Sequence, residues 1–168
     1  MNRIISALLT VSALIYGIFL AGQKAVAERA TDLVGTWVLV SSTLERGGMK
    51  TDYFGPNPLG QLMFDPDGNF SAVFTRSDLP KFASNNRQAG TPEENKAVVQ
   101  GSIAVFGTYS VNGTDNIITF HIEGSTFPNW KGTVQERAVK LFGEELSWTD
   151  PTPSAGSGAV HTVFKRAN

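Results

Sequence analysis

The chain reads GQLMFDPDGNFSAVFTR from Gly60 to Arg76, two β-type runs on either side of a tight turn. The turn Pro66-Asp67-Gly68 is typical of a hairpin, because glycine accepts a positive φ that a side chain would resist. This stretch predicts two antiparallel strands, Gly60–Phe64 and Asn69–Arg76.

Similar short β runs, separated by turn residues at spacings near ten, continue along the chain from Leu33. The other predicted strands are Leu33–Ser42, Met49–Tyr53, Gly107–Val111, Ile117–Glu123, Thr133–Lys140, Glu145–Thr149 and Ala159–Lys165. Consecutive hairpins indicate an up-and-down antiparallel sheet, and closure removes the exposed edges of such a sheet. We predict an all-β, up-and-down antiparallel barrel of about 8–10 strands with one short α-helix.

The helix is predicted from Pro92 to about Ala104. Thr91-Pro92-Glu93-Glu94 combines an N-cap hydroxyl, a proline at the first helical position and a glutamate that completes a capping box.

The N-terminus has the order of a secretory signal peptide. Met1-Asn2-Arg3 is a short basic region, residues 4–20 are almost wholly apolar, and Ala25-Val26-Ala27 is a small-x-small site. We expect cleavage after Ala27, an exported protein in the periplasm or outside the cell, and a single barrel domain over residues 28–168. An uncleaved anchor is the alternative, because the apolar run is just long enough to span a bilayer.

Charge and composition do not favour a nucleic-acid-binding, membrane-spanning or metal-binding protein. Loss of Arg3 and Lys24 with the signal peptide changes the formal net charge from -1 to -3, which does not favour nucleic acid as a partner. No other segment is long and apolar enough to cross a membrane. The chain has no cysteine and two histidines, so we predict no metal site and no cofactor.

Several segments carry a family resemblance. Gly35-Thr36-Trp37 resembles the Gly-x-Trp opening of lipocalins, in which the tryptophan closes the bottom of the barrel and an arginine from the last strand, here Arg166, covers it. More specific segments of this chain resemble the lipocalin-like domain family of bacteria and fungi over Leu33 to Arg166. They are Tyr53–Gly60, Pro80–Ser84, Ala89–Glu94, Phe106–Tyr109 and Glu123–Gly132. The resemblance implies a small-molecule-binding β-barrel.

Side-chain alternation predicts which polar groups face the interior. Glu136 and Lys140 occupy the solvent face of their strand, so Thr133, Gln135, Arg137 and Val139 point inward. An arginine inside a barrel needs a carboxylate or an anionic ligand group, because an unpaired buried charge is too costly. Glu123 is a candidate partner for Arg137, with His121 beside it.

Side-chain alternation does not decide which face of the preceding predicted strand, Ile117–Glu123, points into the barrel. Thr119, His121 and Glu123 share one face, and Ile118, Phe120 and Ile122 share the other. Either set can face the interior, and the Ile–Phe–Ile set packs the core if the polar face is hydrated.

These patterns lead to three hypotheses. The first is an exported protein that binds a small, largely apolar ligand with a polar or anionic end, received by Arg137 and Tyr109. Trp130 and Phe127 then form a rim, and Arg76 reaches the mouth. The predicted ligand contacts are Tyr109, His121, Glu123, Trp130, Arg137 and Arg76.

The second hypothesis is an isomerase or cyclase in which His121 or Glu123 moves a proton in the cavity, with Tyr109. The third is an envelope structural or stress protein whose barrel is filled by its own side chains. We expect binding rather than catalysis, and the sequence sets no oligomeric state.

Overall fold

The computed structural model describes residues 30–168, and the predicted signal peptide lies outside the described residues. The strands are β1 (Gly35–Arg46), β2 (Met49–Asp52), β3 (Leu59–Phe64), β4 (Asn69–Thr75), β5 (Ser102–Asn112), β6 (Ile117–Ser125), β7 (Val134–Phe142), β8 (Glu145–Asp150) and β9 (Ala159–Arg166). The helices are α1 (Ala30–Leu33) and α2 (Pro92–Gly101), with short 3-10 turns at Arg87–Ala89 and Pro128–Trp130.

The strands form one antiparallel sheet that closes on itself. The order is β2-β1-β3-β4-β5-β6-β7-β8-β9, and β1 also pairs with β9. Eight strands therefore form the barrel, and β2 is an extra strand paired with the far end of β1. The predicted all-β, up-and-down barrel with one short helix is confirmed. The predicted helix is α2, and α1 is a single turn of 4 residues.

Trp37 and Arg166 close one end of the barrel. Trp37 is fully buried, its indole N–H donates to the Leu33 carbonyl at 2.8 Å, and the Arg166 guanidinium lies 4.1 Å from its ring centroid. Arg166 also donates to the carbonyls of Asp32 and Val34 at 2.6 and 2.9 Å. The arrangement predicted from Gly35-Thr36-Trp37 is confirmed, and it closes this end of the barrel.

A bulge in β1 changes which residues face the interior. Leu39 pairs with Phe164, but Ser41 pairs with Val163, so Val40 is the extra residue. Leu39 and Ser42 are consequently both buried, although strict alternation would place them on opposite faces.

A second bulge lies between β5 and β6, where Gly107 pairs with Ile122 and Glu123 has no directly opposed partner. A Cβ at Gly107 would overlap the carbonyl of His121, so this close approach of two strands requires glycine.

The predicted helix is too long at its C-terminal end. The capping box is present, with Thr91 and Glu94 each accepting from the other's backbone N–H, but α2 ends at Gly101. Residues 102–106 continue β5 because Ser102, Ile103 and the residues after them pair with β4. Pairing in the sheet outweighs the helical spacing of the apolar residues in this segment.

The open question about β6 is settled by burial. Ile118, Phe120 and Ile122 are buried, and His121 and Glu123 are exposed. Within residues 30–168, no helix is long and apolar enough to cross a membrane.

Replacing Arg166 with methionine should lower the free energy of unfolding by about 2 kcal/mol, because a cation–π contact and two charge-assisted hydrogen bonds are lost. Lys165→Met is the matched control, since the neighbouring Lys165 side chain is exposed on the outer face. Urea denaturation of both variants measures the difference, and equal stability would contradict the closing role of Arg166.

Candidate functional site

The barrel contains a cavity in the half away from Trp37. Its volume is about 70 Å³, room for a few water molecules at about 10–15 Å³ each. The apolar and aromatic lining consists of Phe54, Phe70, Ala72, Phe74, Ile103, Val105, Phe120, Ile122, Trp130, Trp148 and Val160. The polar lining consists of Ser42, Tyr53, Gln135, Arg137, Asp150, Ser154 and Thr162.

Arg137 is the cation of this cavity. It lies on β7 with 7% of its side chain exposed, and the alternation that buries Gln135 and Val139 also directs it inward. Its guanidinium donates from Nη2 to the Gln135 side-chain oxygen at 2.6 Å and from Nη1 to the Glu136 carbonyl at 3.0 Å. Burial lowers the pKa of Arg137 from its ordinary value, and the charge of Asp150 opposes that effect.

Asp150 is the partner of Arg137. It is the last residue of β8, with 10% of its side chain exposed, and its Oδ2 lies 2.9 Å from Nη2 of Arg137. Its Oδ1 accepts the backbone N–H of Thr152 at 2.9 Å, which connects the ion pair to the β8–β9 loop. The two opposite charges and these hydrogen bonds satisfy groups that would otherwise be costly to bury.

A chain of hydrogen bonds runs from the ion pair to the segment between β6 and β7. The Gln135 amide nitrogen donates to the Thr133 hydroxyl at 3.2 Å, and that hydroxyl donates to the Trp130 carbonyl at 2.7 Å. The position of Trp130 is therefore linked to the same polar network that holds Arg137.

Trp130 and Phe127 form an aromatic pair beside the cavity. Their rings pack at 84° with centroids 5.7 Å apart, and Phe127 is partly buried against the core. Trp130 belongs to the cavity lining, as expected for an aromatic rim.

Two further polar pairs line the wall. The hydroxyls of Ser42 and Thr162 lie 3.3 Å apart, and those of Tyr53 and Ser154 lie 2.7 Å apart. Hydroxyls can donate and accept, so both pairs can rearrange around a polar group of a ligand.

The structure separates the residues that the sequence grouped together. Arg137 and Trp130 line the cavity, whereas His121 and Glu123 are exposed on the outer face of β6. The predicted ion pair between Glu123 and Arg137 is wrong, because the Ile118, Phe120 and Ile122 face of β6 takes the interior.

Tyr109 and Arg76 also lie away from the cavity lining. Tyr109 is buried and donates its hydroxyl to the Asp65 carbonyl at 3.1 Å, and burial, with a contribution from Asp65, raises its pKa. Arg76 follows β4, is exposed and makes a two-bond contact with Asp78 at 2.7 and 2.8 Å. A role of these residues, or of His121 and Glu123, in binding stays a prediction.

Sequence reasoning missed Asp150, Trp148 and the polar groups on β1 and β9. Side-chain alternation could have identified Asp150. The predicted strand Glu145–Thr149 ended one residue too early, and in β8 the side chains of Leu146, Trp148 and Asp150 share one face. Ser42 could not be found in this way, because the β1 bulge changes the alternation.

No metal site is apparent in the described part of the chain, where no group of three or more His, Asp or Glu side chains is placed to hold an ion. The polar side chains that line the cavity are one ion pair, one amide and four hydroxyls.

Replacing Asp150 with leucine should lower the free energy of unfolding by about 3–5 kcal/mol, because the buried charge of Arg137 loses its partner. The double variant Arg137→Met/Asp150→Leu should recover most of that loss, since no charge then remains buried. Urea denaturation tests this.

Lys50→Met is the surface control. Lys50 and Glu45 form a pair with 68% and 40% of their side chains exposed, and we expect a change below about 1 kcal/mol. A similar loss for Asp150→Leu and Lys50→Met would contradict the buried-pair description.

The model of the lipocalin-like domain family matches residues 34–164. The chain is 32% identical over 101 residues to the 4'-hydroxy-3'-methoxypropiophenone carrier protein ppsC of Aspergillus oryzae (strain ATCC 42149 / RIB 40), covering 56% of this chain and 90% of that protein.

A solved structure of a mutant of the fluorescent protein UnaG is 13% identical, with a TM-score of 0.37 over 81% of this chain and 96% of that one. This likeness is too low to bear on function. The family match spans most of the barrel, and the chain therefore belongs to the lipocalin-like domain family.

Proposed function

We propose that this protein binds and carries a small, largely apolar molecule in its barrel cavity, with the polar end of the ligand beside Arg137 and Asp150. The observation that carries the proposal is a buried ion pair inside an otherwise mainly aromatic and aliphatic cavity. Ligand sites in proteins commonly combine an apolar lining with a few convergent polar groups.

The size of the cavity limits the ligand. A closed cavity of about 150 Å³ is enough for benzene, about twice the volume found here. A ligand with one aromatic ring therefore displaces lining side chains or extends outward beside Trp130.

The related carrier protein supports this class of ligand. Its name denotes an aromatic ketone with one hydroxyl and one methoxy group. Phe70, Phe120 and Trp148 offer ring faces and edges to such a molecule, and Arg137 and Gln135 offer N–H donors to its oxygens.

We also propose that the protein acts after export to the periplasm or the cell exterior. The support is the order of the N-terminal residues, with Arg3 before an apolar run and Ala25-Val26-Ala27 after it.

The two alternative functions have less support. His121 and Glu123 are exposed outside the barrel and Tyr109 contacts Asp65, so the groups named for acid–base catalysis do not meet in the cavity. The presence of a cavity also argues against a barrel completely filled by its own side chains.

Titration with 4'-hydroxy-3'-methoxypropiophenone should quench tryptophan fluorescence saturably, because Trp130 and Trp148 line the cavity.

Ala72→Leu should weaken binding at least about tenfold by filling the cavity, at a stability cost of about 1–3 kcal/mol.

Val73→Leu is the matched control. Ala72 is 3% exposed and lines the cavity, whereas Val73 is 52% exposed on the outer face of the same strand. Equal effects of the two substitutions on affinity, or quenching that does not saturate with the wild type, would overturn binding in the barrel.

A further inference from the structure

The charges of the cavity lining cancel. Arg137 and Asp150 are the charged side chains among the lining residues, all of which belong to the described part of the chain. They contact each other at 2.9 Å, so the cavity presents a formal charge of zero to a ligand.

A ligand carboxylate is therefore poorly matched to this cavity. A carboxylate that pairs with Arg137 must come close to the guanidinium nitrogens. Oδ2 of Asp150 already lies 2.9 Å from one of them, Nη2. Two carboxylates that share one cation repel each other, and a close like charge disfavours ionisation by about one pKa unit or more, a factor of at least ten. Removal of the incoming charge from water adds a further cost that no second cation in the lining offsets.

A neutral hydroxyl is well matched. Asp150 accepts from Thr152 and Arg137, and a carboxylate offers about four acceptor positions, so a ligand O–H can donate to it. The oxygen of the same hydroxyl can accept from the second N–H of the Gln135 amide, whose first N–H bonds Thr133.

We propose that the cavity selects neutral molecules that carry a hydroxyl, such as phenols and alcohols, over carboxylates, and that Asp150 determines this selectivity. This inference rests on the proposed function. The sequence predicted a ligand with a polar or anionic end, and the charge of the cavity restricts that end to a neutral hydrogen-bond donor. Phenols are neutral near pH 7, because their pKa is about 10.

The first test compares two ligands of similar size, para-propylphenol and para-propylbenzoate, by fluorescence titration of the wild-type chain near pH 7. We expect at least about tenfold tighter binding of the phenol. Equal affinity, or tighter binding of the benzoate, would overturn the selectivity.

The second test is Asp150→Asn, which removes the negative charge and keeps an acceptor oxygen for Arg137. We expect the affinity for para-propylbenzoate to rise at least about tenfold, because no carboxylate of the lining then opposes the charge of Arg137. Glu136→Gln is the matched control, since it makes the same change of charge on the exposed face of β7. No gain with Asp150→Asn, or an equal gain with Glu136→Gln, would show that Asp150 does not set the selectivity.

A third measurement uses the wild type alone and remains decisive where Asp150→Asn does not fold. If the neutral acid is the bound form, the affinity for para-propylbenzoate should fall about tenfold per pH unit between about pH 6 and pH 8. The affinity for para-propylphenol should stay constant over the same range, and this controls for any effect of pH on the protein itself. A benzoate affinity that is independent of pH and equal to the phenol affinity would mean that the carboxylate itself binds as well as the phenol, and would overturn the inference.

The two proposals fail in different ways. If neither the phenol nor the aromatic ketone binds, the barrel is not a carrier for this class and both proposals fall. If the ketone binds and the benzoate binds as tightly as the phenol, only the charge selectivity is overturned.

Discussion

The ion pair between Arg137 and Asp150 is the constraint on which the cavity depends. Two charges with 7% and 10% of their side chains exposed persist in an apolar interior only when they satisfy each other. Their hydrogen bonds to Gln135 and Thr152 extend the pair to β7 and to the β8–β9 loop. The pair thus holds two walls of the cavity in one arrangement and also makes the formal charge of the lining zero.

Barrel closure makes this arrangement possible. Pairing of β1 with β9 leaves the eight barrel strands without an open edge, and Trp37 under Arg166 closes one end. Packing of Phe120 against Phe70 and Trp148 fills the middle of the barrel, with ring centroids 4.6 and 5.7 Å apart. Space for a ligand remains in the other half, where the ion pair and Trp130 lie.

Local sequence patterns predicted most of the fold. They failed where pairing between strands distant in sequence determines the structure. The Pro66-Asp67-Gly68 turn and the Thr91 capping box are local and were predicted correctly. The C-terminal end of α2 was placed too late, because residues after Gly101 pair with β4, a contact that the local spacing does not encode. For the candidate site, alternation placed Arg137 inside, but the choice of Glu123 as its partner required the orientation of β6, which alternation left open.

By itself, the sequence determined the strand-turn alternation and the inward direction of Arg137, because these follow from turn chemistry and from the period of two in a strand. Consecutive hairpins indicated the closed barrel, and the Trp37–Arg166 closure was implied by the family resemblance. Only the tertiary structure decided which face of β6 is buried, how the bulge at Val40 turns Ser42 inward, and that Asp150 is the carboxylate beside Arg137. The physical reason is that these outcomes depend on register between strands. A displacement by one residue exchanges the two faces of a strand without changing its sequence pattern.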